Sequence, residues 1–256
     1  AYLQHHSDPQ NRGVILAASN FISFSFILLS SGLFWLLAGP LNLGPHSIFL
    51  TFGLLTLPVA VYIFRLLPQA SIRFLVWLAS LTAYRIRVFG RENIPETGGA
   101  VLVANHVSWL DGVLMLMTSS RPMRVVAYAD YVTKGFVGWL ARTFGVITIK
   151  PEEGPKSILR SLKTAQEAVK NGELVCIFAE GQITRTGQIL PFQRGLLRII
   201  EGTGAPVIPT YLDELWGSIF SFKGGRFFWK RPRRWPYPIS IHFGRPLTDA
   251  GNVSHI

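Results

Sequence analysis

The chain has 256 residues, 49% of them hydrophobic, with 25 Lys and Arg against 14 Asp and Glu, a formal net charge of +11. That length leaves room for one large domain or two small ones. The single cysteine, Cys176, excludes an internal disulfide and fits a reducing compartment.

The charge is unevenly spread. No Asp, Glu, Lys or Arg occurs in the 52 residues between Arg12 and Arg65, whereas 22 of the 25 basic residues lie from Arg85 onward. Two uncharged runs, Val14 to Gly39 and Ser47 to Phe64, flank the segment GPLNLGPH, and each is near the roughly 20 residues that cross a bilayer as a helix. A signal peptide would be one shorter run, and a soluble domain would have to bury two helices apolar all round. A transmembrane hairpin over residues 1–68 is therefore expected, with re-entrant or interfacial helices as the alternative. Its loop lacks Lys and Arg while Arg12, Arg65 and Arg73 flank the outer ends, which places both termini in the cytoplasm and the chain in the inner membrane. Residues 69–84 follow with Phe74, Leu75, Leu78 and Leu81 at helical spacing, Arg73 among them, and Trp77 and Tyr84 placed for headgroup depth. This reads as an amphipathic interfacial helix, or equally as a domain-packing one.

From residue 85 to 256 strand-like and helix-like segments alternate. Strands are expected at Arg85 to Val88, Ala100 to Ala104, Met123 to Tyr128, Val146 to Ile149, Leu174 to Phe178, Pro206 to Leu212 and Ile239 to Phe243. Helices are expected at Asp111 to Ser119, Gly135 to Phe144, Ser157 to Lys170 and Gly195 to Thr203, with Ser157 as an N-cap and Asn171-Gly172 as a stop. Such alternation predicts an α/β fold with a mixed, largely parallel sheet flanked by helices. Cys176 reads as a small core hydrophobe in its strand.

Gly-x-Ser-x-Gly, a Walker loop, a dinucleotide glycine fingerprint and His-Glu-x-x-His are all missing. His5, His6 and Asp8 read as a solvated terminus, because no further metal-ligating cluster accompanies them. Between Lys223 and Arg245 seven basic residues and no acid are interleaved with Phe227, Phe228, Trp229, Trp235 and Tyr237. Basic plus aromatic can mean single-stranded nucleic acid, but beside a membrane anchor it favours anionic headgroups.

The chemistry is expected at strand ends. In NHVSWLDG, residues 105–112, Ser108 and Asp111 have the form of a capping box, so Asp111 could serve the helix alone. Five positions along a helix would set His106 and Asp111 on different faces, so His106 must precede the helix for the two to meet. In FAEGQITRTG, residues 178–187, Glu180 and Gly181 put a carboxylate and main-chain amides at a strand end, and Arg185 could grip phosphate; a polar turn is the alternative. Lys150, closing GVITIK, is a second phosphate contact or a surface lysine.

Together these blocks resemble the glycerolipid acyltransferases related to bacterial lysophosphatidate acyltransferase. Asn105 to Asp111 looks like the family's His-x4-Asp motif. Gly145 to Lys150, Phe178 to Gly181, Phe192 to Gly195 and Val207 to Pro209 resemble its later blocks, in order, over roughly residues 84–247. Lys150 stands where the family has Arg, Ala179 replaces Pro, Gln182 replaces Thr, and the Arg that follows is displaced to Arg185. LWGSIF, FFWKRPRRWPYP and HFGRPL resemble the acyltransferase segment of bacterial fusions that also carry a lysophospholipid transporter and an acyl-carrier-protein synthetase. Residues 1–68 are similar to that transporter's last two helices, which suggests an excerpt of a longer protein.

The resemblance implies transfer of an acyl group from acyl carrier protein or coenzyme A to a lysophospholipid hydroxyl. His106 is the implied base and Asp111 its partner, with Glu180, Gly181, Arg185, Lys150 and Asn105 around the substrate. No metal or other cofactor is implied, membrane phospholipid is a partner, and nucleic acid is not. The rival reading is a transport fragment that binds lysolipid without acting on it.

Overall fold

The computed structural model describes residues 12–228, 230 and 235–247. His5, His6, Asp8, Trp229, Arg231, Arg233 and Arg234 lie outside these residues, as does the side chain of Leu81. Contacts divide the chain into two units, ending and beginning at Leu66 and Leu67.

The first unit holds helices α1, Arg12–Ala38, and α2, Pro45–Leu66. At 1.5 Å per residue they run about 40 and about 33 Å, against a hydrocarbon core of about 30 Å. Both are long and apolar enough to cross a membrane. Their large side chains are not gathered into a core: Phe21, Phe24 and Phe49 are 71–79% exposed. Five of their hydroxyls are spent on their own helix, among them Ser23 donating to Ser19 O and Ser25 to Phe21 O, each at 2.8 Å. Polar groups satisfied inside the helix suit surroundings without water.

The second unit is a seven-stranded sheet with helices on both faces. Its strands are β1 (Tyr84–Phe89), β2 (Ala100–Ala104), β3 (Met123–Tyr128), β4 (Ile147–Ile149), β5 (Leu174–Phe178), β6 (Val207–Asp213) and β7 (Tyr237–Phe243). They are ordered β1-β7-β6-β2-β5-β3-β4. Pairing is parallel except between β6 and β7, so β1 and β7 run against the other five. The expected mixed, largely parallel sheet is thus present. AVLVA of β2 is buried at every position because it is central and covered on both sides. Alternation then splits its residues between two cores. Leu102, Ala104 and Cys176 pack with Leu114 and Met115, while Val101, Val103 and Val175 pack with Leu162, Ala165, Leu196 and Ile199.

Leu114 and Met115 belong to α4, Asp111–Thr118; the opposite face is covered by α7, Pro155–Lys170, and α8, Gly195–Ile200. Helix α3, Pro68–Ala83, belongs to this unit; it buries Ile72 and Ser80 while Phe74, Leu75, Trp77 and Leu78 stay 49–58% exposed. Two short helices, α5 (Ala129–Val132) and α6 (Gly135–Thr143), connect β3 to β4. Ser157 is not the N-cap of α7. Pro155 occupies the first turn, where its missing N–H costs nothing, and moves the cap to Gly154. Ser157 instead donates its hydroxyl to Glu153 Oε2 at 3.1 Å. The helix does stop at Asn171, with Gly172 at φ 85° turning the chain into β5.

Candidate active site

Strand β2 ends at Ala104, paired with Thr210 of β6 on one side and Phe178 of β5 on the other. The chain can turn there because the Asn105 side chain replaces the next ladder step. Leu212 N–H donates to its Oδ1 at 2.7 Å, and its Nδ2 donates to Leu212 O at 3.1 Å. His106 then sits outside the carboxyl end of the central strand, the position where open α/β sheets place ligands.

Every part of His106 except one ring edge is fixed. Its N–H donates to Glu180 Oε1 at 2.8 Å, and its carbonyl accepts Thr184 N–H at 2.8 Å. The ring stacks on Phe178 with centroids 4.3 Å apart and planes 18° apart. Nδ1 lies 2.9 Å from Asp111 Oδ2. The side chain keeps 21% of its exposure, whereas that of Asp111 has none.

Asp111 is a buried carboxylate surrounded by donors. Oδ2 accepts Val107 N–H at 2.6 Å and Ser108 N–H at 2.9 Å as well as the His106 contact; Oδ1 accepts the Ser108 hydroxyl. A buried charge is tolerable only when hydrogen-bonded in this way. Two of the three groups on Oδ2 are main-chain amides, which can only donate, so the third contact takes its proton from the ring. Nδ1 therefore carries hydrogen, and in the neutral imidazole Nε2 presents its lone pair at the exposed edge.

The capping box forms by half. Asp111 reaches back to Ser108 N–H as such a box requires, but the Ser108 hydroxyl goes to the Asp111 carboxylate and to Leu110 N–H at 3.2 Å. Helix α4 starts two residues later than a Ser108 cap would place it, with Leu110 at the cap position. The helix start and the His-Asp contact are built from the same atoms.

Glu180 is 2% exposed, and both its oxygens are taken by main chain: His106 N–H on Oε1 and Leu190 N–H at 2.8 Å on Oε2. Burial pushes its carboxyl above the ordinary range, against the pull of those two amides. Gly181 lets the chain reverse after β5, with φ 72° and its N–H on Phe178 O at 3.0 Å. The polar side-chain atoms of Glu180 and Asn105 all bond main chain. They hold the loop that carries His106.

Arg185 is exposed, with its guanidinium 5.2 Å from the centre of the Phe222 ring. Phe222 contacts Phe227, and Phe227 meets Trp109 of the motif edge-on at 5.8 Å. A wall of rings thus joins Arg185 to the His-Asp turn. Lys150 follows β4 at the same sheet edge but three strands from β2, about 14 Å at the usual spacing of about 4.8 Å. It is half-exposed and paired with Glu153 at 2.8 Å, which holds its ammonium above the ordinary value.

Sequence reading missed Thr184, which is 1% exposed, and the segment around Ser221. Trp109 N–H donates to Phe220 O at 3.2 Å, and Ser108 bridges Ser221. The Thr-x-Thr-Gly spacing was a usable signal for a hydroxyl-closed turn, which Thr184 Oγ1 forms with Gly187 N–H at 3.1 Å. Nothing local in LWGSIF signals its pairing with the motif more than 100 positions away. Cys176 is fully buried, and burial followed by the nearby Asp111 charge drives its thiol up, which leaves it a core residue and not a nucleophile.

Comparison with known proteins bears on this arrangement. The 1-acyl-sn-glycerol-3-phosphate acyltransferase of Pseudomonas aeruginosa is 32% identical over 148 residues, 57% of this chain and 56% of its own length. The chloroplastic 1-acyl-sn-glycerol-3-phosphate acyltransferase BAT2 of Brassica napus is 32% identical over 130 residues, 50% of this chain and 37% of its own. The alpha enzyme of that name from Mus musculus is 30% identical over 182 residues, 68% of this chain and 62% of its own. The chain thus spans 37–62% of the length of these curated relatives. In fold it is similar to the crystal structure of the 1-acyl-sn-glycerophosphate acyltransferase PlsC from Thermotoga maritima, with a TM-score of 0.57 at 22% identity, covering 89% of this chain and 88% of that one. The sequence model of the Acyltransferase family matches residues 85–213, from β1 to the end of β6, which includes His106, Asp111 and Glu180; the chain belongs to the Acyltransferase family.

Proposed function

We propose that the protein transfers a fatty acyl group from a thioester carrier to the free hydroxyl of a lysophospholipid, with His106 as general base. The observation that carries this reading is the fixed His106–Asp111 pair, with Nδ1 committed to the carboxylate and Nε2 at the exposed edge. The lysolipid oxygen attacks the thioester carbonyl carbon, and its proton passes to Nε2. Asp111 stabilises the imidazolium that forms, the role a carboxylate plays in a Ser-His-Asp triad. The C–S bond then breaks, and the proton passes from Nε2 to the leaving thiolate. Substrate hydroxyl takes the place of an enzyme nucleophile, so no acyl-enzyme is formed.

The relatives' names make 1-acylglycerol-3-phosphate the first candidate acceptor. The likeness to transporter-linked fusions makes an ethanolamine-bearing lysolipid the second. Arg185, beside the ring wall, is the candidate phosphate contact, and Lys150 a more distant one. Acyl carrier protein and coenzyme A are the candidate donors. We read α1 and α2 as membrane-spanning, α3 as lying in the interface on its exposed Phe74, Leu75, Trp77 and Leu78, and the sheet unit as facing the cytoplasm of the inner membrane. That anchorage would hold the site beside its lipid substrate and raise its effective concentration.

The test is a mass-spectrometric assay of the full chain in bilayers with both lysolipids and both donors. One combination should yield a diacyl product with one thiol released per ester formed. Lysolipid binding with no thiol release under any combination would instead support a transport fragment.

A further inference from the structure

At the edge of the sheet opposite His106 lies a cleft of about 340 Å³, lined among others by Gln69, Arg73, Arg121, Arg124, Phe144 and Glu173. Three guanidinium groups share it with one carboxylate. Arg121 is committed to main chain, donating to the carbonyls of Pro95, Gly98 and Gly172 at 2.7–2.9 Å. Arg124 gives Nε to Gly145 O at 2.7 Å, and its Nη1 lies 3.7 Å from Glu173, its one carboxylate partner among the described residues. Arg73 donates once, to Ser119 O at 2.7 Å, a carbonyl it shares with Arg91 at 3.2 Å. Among the described residues Arg73, Arg91 and Arg121 have no carboxylate partner. Burial first, and the neighbouring Arg91 charge second, hold the Arg73 guanidinium below its ordinary value. The cleft is positive, partly buried and under-neutralised, and its arginines retain N–H groups free for a planar, forked grip on phosphate oxygens.

The source of that phosphate is indicated by the helix that carries Arg73. Helix α3 exposes Phe74, Leu75, Trp77 and Leu78, and the chain enters it at Pro68, with only Leu67 between it and the end of the membrane-length helix α2 at Leu66. An exposed apolar strip beside a basic cleft is complementary to a lipid with an anionic headgroup, and a soluble anion would use only the cleft. We infer that this cleft binds the headgroup of an anionic phospholipid, separately from the acyl-transfer site. The inference rests on the membrane reading above and not on the catalytic one. With α3 laid along the interface, the bound lipid fixes its amino end while the His106 edge lies toward its carboxyl end, where Ala83 leads into β1.

Native mass spectrometry of the full chain in mild detergent tests this, with phosphatidylglycerol and phosphatidylcholine of matched chains as probes. The wild type should bind phosphatidylglycerol at least about tenfold more tightly, and the double variant Arg73→Gln, Arg124→Gln should lose roughly thirtyfold of that affinity, as about one kcal/mol per basic group implies. That variant could misfold, so a second substitution works in the other direction. Glu173→Gln removes the one carboxylate from a half-exposed position and should tighten phosphatidylglycerol binding several-fold. Equal binding of both lipids, or no gain in Glu173→Gln, overturns the inference. Displacement of the lipid by millimolar inorganic phosphate would make this a soluble-anion site and overturn it as well. His106→Ala should bind phosphatidylglycerol as the wild type does, so a failed catalytic reading leaves this result standing. A chain released from membranes without detergent would overturn the membrane reading and this inference together.

Discussion

Replacing Asp111 by Asn separates the charge of the carboxylate from its shape. The amide oxygen can take the Oδ2 place, where it still accepts from His106 Nδ1, Val107 N–H and Ser108 N–H, and the amide NH2 then meets the Ser108 hydroxyl, which can rotate to accept. The Nδ1–H tautomer survives because two main-chain amides keep the oxygen on that side. What disappears is the attraction between carboxylate and imidazolium, about 4 kcal/mol for charge centres about 4 Å apart at an effective dielectric of about 20, or roughly a thousandfold in rate. Asp111→Ala adds a structural loss. It strands the buried amides of Val107 and Ser108, at about 1–3 kcal/mol each, which lowers the melting temperature of a unit this size by roughly 10 °C. Thiol release and thermal unfolding, measured on both variants in the same bilayers, separate the two effects. Asp111→Asn with near-wild-type turnover would refute the electrostatic role. Asp111→Ala that melts with the wild type would refute the donor cage.

Glu180→Gln turns one acceptor into a donor facing His106 N–H or Leu190 N–H, so kcat should fall about tenfold while KM for lysolipid moves less than about threefold. A selective rise in KM would mean that Glu180 holds substrate after all. Asn105→Ala removes two buried hydrogen bonds to Leu212 and should cost about 2–4 kcal/mol in unfolding by denaturant, with lysolipid affinity unchanged; a stable variant with weakened binding would reverse that assignment. Tyr84 is held up to about 12, by burial first and Tyr237 second, so the folded state binds its phenolic proton more tightly than the unfolded state does. Its contribution is whole below about 10 and is lost as pH rises toward 12, so alkaline destabilisation over that window should be smaller in Tyr84→Phe than in the wild type.

All seven strands were legible because each is a short apolar or alternating run bounded by turn residues, and Ala100 to Ala104, Met123 to Tyr128 and Leu174 to Phe178 were placed to the residue. The reversal of β1 and β7 was not, since it rests on the antiparallel pairing of β6 with β7 across the long segment between Asp213 and Tyr237 and on the distant parallel pairing of Tyr84 with Tyr237, neither of which leaves a local signal. The His-Asp contact was legible from spacing and from the turn between strand and helix. The duties of Asn105 and Glu180 were not: an amide or carboxylate at a strand end can serve a ligand or stand in for missing main-chain partners, and only the facing groups of Leu212, His106 and Leu190 decide. Ser157 failed as a cap because Pro155 two residues earlier is a better first-turn residue. Lys150 was read from its strand end and the block it closes as a phosphate contact or a surface lysine, and its distance of three strands from β2 is a matter of sheet order that the sequence does not carry.

The most direct measurement is acyl transfer to lysophospholipid by His106→Ala, assayed by mass spectrometry in bilayers at matched protein content. His106 is partly exposed at its ring edge, and Asp111 keeps its bonds to Val107, Ser108 and the Ser108 hydroxyl without it, so the fold should persist. Transfer should fall by at least about a hundredfold, the low end for losing a positioned base, with melting within a few degrees of the wild type. Turnover within threefold of the wild type by a folded, membrane-bound His106→Ala protein would contradict general-base catalysis by this residue.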